Sequence, residues 1–113
     1  MDNYSFSERI LQSNILLNKY PDRIPLVIEN NSEFNEKINK KYLLPKDLLF
    51  GGFFNIIKTK IKLDRKQAIF MFVKTDKDYV LIPVGETIGD IYNIYKNEDG
   101  FLYIKFGIEN TFG

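Results

Sequence analysis

The chain has 113 residues, 44% of them hydrophobic and 27% charged, which is enough for one domain with a buried core and too little for two. It contains no cysteine and no histidine, so disulfide frameworks, Cys/His zinc sites, thiol nucleophiles and Ser-His triads are excluded together. The net charge is only +1, yet residues 1–66 carry 12 Lys/Arg against 8 Asp/Glu while residues 67–113 carry 4 against 7.

In chain order, Ser5 and Glu8 stand at capping-box spacing. Phe6, Ile10 and Leu17, with Leu11 and Ile15 beside them, then fall at helical spacing up to Asn18. Pro21-Asp22-Arg23 stops that helix. Ile24, Leu26 and Ile28 alternate as a strand, and Pro25, which donates no ladder hydrogen bond, places that strand at an edge or its start at that point. Glu29 to Asn39 is polar and is expected to be a loop. Lys40 to Pro45 reads as a short strand ended by its proline, and about Phe50 to Lys62 as a helix carrying Phe53, Phe54, Ile57 and Ile61 on one stripe. Gly51-Gly52 in its first turn predicts a ragged start. Ala68 to Val73 is apolar on both faces, as a central buried strand is. Asp76-Lys77-Asp78 is a turn, and Tyr79 to Ile82 can pair back as a hairpin arm. Thr87 and Asp90 form a second capping box ahead of Ile88, Ile91, Tyr92 and Tyr95. Asp99-Gly100 turns the chain into a last strand, Phe101 to Phe106. The order of elements indicates an α+β class, a mixed sheet with helices packed on it, in the order of a β-grasp fold with one helix added in front.

Catalytic chemistry finds little to use. Glu98-Asp99 precedes a glycine as turn residues do, Asp76 and Asp78 lack the other ligand positions of a calcium loop, and Gly51-Gly52 is not followed by the Lys-Ser/Thr of a phosphate loop. No enzyme, metal or cofactor is expected. The longest apolar stretches, Ala68–Val73 and Tyr79–Val84, fall far short of the roughly 20 residues a membrane helix needs. The opening residues lack the basic and then apolar pattern of a signal peptide, so a cytoplasmic protein is expected. Between Lys37 and Lys66 stand nine basic residues and two acids, Asp47 and Asp64. That run is either a solvated face or a surface for acidic peptides or anionic head groups. Nucleic acid is not expected, since 13 of the 16 basic residues are lysine and no nucleic-acid motif is present.

Four segments carry a resemblance. They are Tyr20 to Glu29 with its Pro21-Asp22-Arg23 and Pro25, Lys40 to Leu48, Glu98 to Ile104, and the closing Asn110-Thr111-Phe112-Gly113. In this order, and with Ile88 to Tyr92 fitting the last helix, they resemble the autophagy ubiquitin-like modifiers of the GABARAP and microtubule-associated-protein light-chain family. The resemblance implies a ubiquitin-like β-grasp with an added N-terminal helix, divided into a short segment 1–5, a domain 6–106 and a flexible tail 107–113 ending in a conjugation glycine, Gly113. It implies joining of Gly113 to phosphatidylethanolamine by activating and conjugating enzymes, release by a processing and delipidating cysteine protease, and a lipid-anchored pool on autophagosomal membranes. The chain would be a monomer, with no cofactor. Receptors with short aromatic-x-x-aliphatic motifs would add to the strand Lys41–Leu44 by backbone hydrogen bonds. By resemblance, the aromatic pocket is lined by Leu16, Pro25, Lys41, Leu43 and Phe101. The aliphatic pocket is lined by Tyr42, Leu44, Pro45, Leu48, Phe53, Ile56 and Lys60, with Arg23 and Lys40 meeting acidic flanks. Lys41 and Tyr42 are expected to keep their polar tips in water. Conjugation to a protein lysine, or an unconjugated peptide-binding adaptor, are the alternatives.

Overall fold

A computed structural model describes residues 3–30, 40–61, 65–75 and 78–110. The first helix, α1 (Phe6–Lys19), begins at Ser5, whose Oγ accepts from the Glu8 N–H at 3.1 Å. Next come β1 (Arg23–Asn30), β2 (Lys41–Pro45), α2 (Phe50–Lys60), β3 (Gln67–Lys74), β4 (Tyr79–Leu81), α3 (Ile88–Tyr95) and β5 (Leu102–Asn110). The five strands form one sheet in the order β2-β1-β5-β3-β4, with β1 and β5 parallel and every other pair antiparallel.

Alternation along the strands sorts the side chains onto two faces. Ile24, Leu26 and Ile28 of β1, Leu102, Ile104 and Phe106 of β5, and Ile69, Met71 and Val73 of β3 share the inner face. There they meet Phe50, Phe53 and Ile57 of α2 and Ile88, Ile91 and Tyr92 of α3. On the outer face α1 packs against β1, and Val27 and Phe101 are buried apart from the main core.

Five expectations are corrected. β1 neither lies at an edge nor starts at Pro25, since it runs from Arg23 between β2 and β5. Its even-numbered residues exchange hydrogen bonds with β2, as Ile28 N–H does with Lys40 O at 2.7 Å. The nitrogen of Pro25 therefore faces β5, and the β1–β5 ladder begins one residue later at Leu26, so no ladder bond is lost. Next, β3 is not covered on both faces. Phe70 is 38% exposed, because α1 shields the β1 side of the outer face and no described element lies over Phe70. Third, β5 does not end at Phe106. It pairs with β3 as far as Asn110, opposite Gln67, and Ile108 packs against the core, so residues 107–110 of the expected tail belong to the sheet. Residues 111–113, with Gly113, lie outside the described residues. Finally, α2 starts firmly. Leu49 provides no side-chain cap, but the Phe50 N–H donates to Glu86 O at 2.8 Å and the Gly51 N–H to Val84 O at 3.0 Å. A Cβ on Gly51 would stand 3.2 Å from that same Val84 oxygen, so the glycine permits the contact. Glu29 and Asn30 also belong to β1 rather than to the expected loop, whose remaining residues, 31–39, lie outside the described residues.

The turn into β5 depends on one glycine. Gly100 has φ +90°, and a Cβ there would collide with Ser13 Oγ on α1. Gly100→Ala should lower stability by about 2 kcal/mol or more, the left-handed backbone and the overlap adding. A thermal melt should show the midpoint falling by about 8 °C or more.

Candidate functional site

A sheet edge is where backbone groups stand unpaired, and this sheet has two. At β4 the edge is short and partly closed. Tyr79 and Leu81 direct their backbone groups away from β3, but the Tyr79 N–H donates to the Asp78 carboxylate at 2.8 Å, and Pro83 follows with no N–H to offer. At β2 the edge is open. The inward bonds from Ile28 N–H to Lys40 O and from Lys46 N–H to Asp22 O fix the alternation, so Lys41 and Leu43 point their N–H and C=O groups outward.

Two side-chain surfaces flank that edge. On the outer face Pro25 stands opposite Leu43 and Val27 opposite Lys41, with Phe101 leading into β5 beside them. Leu16 joins from α1, on the same helix face as Arg9, Gln12 and Ser13. Three contacts place that face. Lys41 Nζ donates to Gln12 Oε1 at 3.3 Å, Arg9 Nε donates to Asp99 Oδ2 at 3.0 Å, and Ser13 Oγ donates to the Asp99 carbonyl. On the inner face Tyr42 packs edge-on against Phe53 with ring centroids 5.3 Å apart, and Lys60 Nζ sits 5.7 Å from the Tyr42 ring centre. Leu48 is half-buried, Ile56 is 45% exposed and Pro45 is exposed.

The residues expected to line the two pockets thus gather on the two sides of β2, at different depths. Lys41, Leu43, Leu16 and Leu48 are accessible in part, and Arg23 and Lys40 are exposed beside the strand. Phe53 is fully buried, Phe101 is 1% exposed, and Pro25 and Leu44 are also buried, so these four form a floor beneath the surface. The tip of Tyr42 is not in water as expected. Its hydroxyl is buried and has no hydrogen-bond partner among the described residues.

One functional support escaped the reading of the sequence. Asp99, expected as a turn residue, is 1% exposed. Besides Arg9, its carboxylate accepts from the Tyr103 hydroxyl and from the Phe101 N–H at 2.9 Å. Burial first, and then the hydrogen bond to Asp99, push the Tyr103 phenol well above the ordinary tyrosine range, and burial raises Tyr92 as well. Both rings therefore stay neutral donors at any physiological pH. The Asp-Gly pair was legible as a turn, but nothing adjacent in sequence marks Arg9 as its partner. Gln12 was missed too, for it announces itself only through Lys41.

Residues 8–113 match the family model described as "Autophagy protein Atg8 ubiquitin like". The chain belongs to this Atg8 family. Among its relatives, Autophagy-related protein 8e of Arabidopsis thaliana is 46% identical over 115 residues, covering 100% of this chain and 90% of the relative. Autophagy-related protein 8 of Schizosaccharomyces pombe is 43% identical, covering 99% and 91%. Among solved structures, Trypanosoma brucei ATG8 superposes with a TM-score of 0.76 at 34% identity, covering 98% of this chain and 94% of that one. Plasmodium falciparum Atg8 in complex with a Plasmodium falciparum Atg3 peptide gives 0.78 at 32% identity, covering 94% and 92%. The family is thereby fixed, together with the ubiquitin-like α+β fold, and no subfamily within it is singled out. Among the described residues this Atg8-family chain has no helix long and apolar enough to cross a membrane, and no acidic cluster suited to a metal.

The orphaned hydroxyl at the site gives a direct test of how the Atg8-family edge is built. Tyr42→Phe removes a buried donor without a partner and keeps the ring on Phe53, so stability should be unchanged or rise by up to about 1 kcal/mol. Urea denaturation of the two proteins measures this, and a loss above 1 kcal/mol would show that the hydroxyl has a partner.

Proposed function

We propose that this chain is a ubiquitin-like modifier of the GABARAP and light-chain type, joined through Gly113 to phosphatidylethanolamine. Its β2 edge recruits receptors with aromatic-x-x-aliphatic motifs to autophagosomal membranes. The observation that carries the reading is the open edge at Lys41–Leu43, with outward backbone groups and apolar surface on both sides. A peptide extended along it would alternate its side chains, the aromatic one toward Leu16 and Leu43 and the aliphatic one toward Leu48 and Ile56. The Atg3 peptide held by the Plasmodium falciparum relative supports a peptide as occupant, and it makes the conjugating enzyme a natural partner here. The activating enzyme and a processing and delipidating cysteine protease complete the expected set, acting on the cytoplasmic protein and on its lipid-anchored pool.

Transfer of a C-terminal carboxylate through a narrow enzyme site favours glycine, which has no Cβ to obstruct passage. Deleting Gly113 should abolish attachment to liposomes containing phosphatidylethanolamine when the conjugation enzymes and ATP are supplied. The melting temperature and peptide binding should not change. Attachment that survives the deletion, or that is equal on liposomes lacking this lipid, refutes lipid conjugation through Gly113.

Docking itself should fall in the micromolar range, about −7 to −8 kcal/mol. Leu43→Ala should weaken it roughly fivefold or more, about 1 kcal/mol, by calorimetric titration. Unchanged affinity would place the peptide elsewhere.

A further inference from the structure

The open edge carries one obstruction. Arg23 stands opposite Pro45 and diagonal to Leu43 on the outer face of β1 and β2. Its Nη1 donates to the Leu43 carbonyl at 3.0 Å. That carbonyl is one of the outward acceptors of β2. Of the others, Pro45 O is already taken by the Leu48 N–H at 3.1 Å, which leaves Lys41 O. Arg23 is exposed, and no ion pair engages it among the described residues. A strongly basic group is thus held on a neutral backbone oxygen, in solvent, at the point where an added strand must place an N–H.

We infer that Arg23 is a latch on the β2 edge, released by exchange: a docking strand with a carboxylate beside its edge-pairing residues draws the guanidinium off Leu43 O and bonds to that oxygen itself. The inference rests on the docking reading above. A carbonyl oxygen has two lone pairs, but a strand arriving at the usual spacing of about 4.8 Å meets a planar guanidinium already bonded to its acceptor. A neutral peptide must displace it without recompense. An acidic peptide replaces one hydrogen bond of Arg23 with a stronger charge-assisted one. Arg23 would then act as a specificity-determining residue, discriminating partly by penalising peptides that lack the charge and not only by attracting those that have it.

The two roles differ in sign. Two short aromatic-x-x-aliphatic peptides, with Glu or with isosteric Gln at both middle positions, are titrated into the wild-type protein and into Arg23→Ala. Since the side chain is exposed, the variant should fold, which a melt verifies. The Gln peptide should bind the variant about threefold more tightly, and the Glu peptide about threefold or more weakly, ratios that suit one exposed hydrogen bond each way. In the free protein the Leu43 carbonyl carbon should shift in its NMR spectrum when Arg23 is removed. A Gln peptide that binds the variant equally or more weakly, or a Leu43 carbonyl that does not shift, overturns the latch while leaving docking intact. If neither peptide perturbs the amides of Lys41 to Leu44 in the wild-type protein, the docking reading itself fails and the exchange is overturned with it.

Discussion

Much of this molecule hangs on where the Asp99 carboxylate is held. It is buried at the turn into β5, and its charge is answered by Arg9 from α1 while its oxygens also take the Tyr103 hydroxyl and the Phe101 N–H. An isolated carboxylate in such a place would cost several kcal/mol, and a partnered one is costly to break because the remaining charge is stranded. The pairing therefore fixes α1 against the sheet at one end, and Ser13 on the Asp99 carbonyl strengthens the same joint. A helix so placed presents Gln12 to Lys41, with Leu16 one turn on along the same helix face. The outer side of the candidate groove is thus set by an ionic contact at the base of β5, away from the edge where a partner would arrive.

The two sheet edges show opposite solutions to one problem. Unpaired strand edges invite association with any extended chain. β4 answers with three residues, an acidic side chain on its first N–H and a proline just beyond its end. β2 keeps its backbone available, and its guard is an arginine that an ionic partner can draw away. One edge is closed by local chemistry and the other by a contact that is easily traded. This asymmetry is what a sheet needs if a single edge is to be selective.

How far the sequence disclosed this depended on whether the signal was local. Ser5 with Glu8 and Thr87 with Asp90 mark helix starts that the structure has, because a cap is made within one turn. The alternation of β1 and the short β2 were legible for the same reason. Non-local facts were not. Pro25 suggested an edge strand or a strand start, since the sequence does not reveal which neighbour its missing donor would have faced. Phe70 and Phe72 looked buried, since nothing in Ala68–Val73 says that α1 stops short of them. Gly107 looked like the start of a tail, although a strand with Ile108 packed on the core tolerates it. The residues gathered around β2 were legible through the resemblance to a family. Their depth was not, because burial of Phe53 and Phe101 is decided by helices distant in sequence.

The beginnings of α2 and α3 are completed by each other's approach segments. Phe50 and Gly51 donate to the carbonyls of Glu86 and Val84, while Ile88 and Gly89 donate to those of Leu48 and Lys46. Helix starts leave donors that something must satisfy, and here two stretches far apart in the chain satisfy them reciprocally. Synthesis is vectorial, so α2 leaves the ribosome with its first turn open and waits for residues 84–86 before it can close. The two helix starts thus depend on each other's bonds, as the parts of a cooperative unit do. The aliphatic side of the edge, Leu48 and the surface of α2, thus comes into being late, only once the chain has been made through the start of α3.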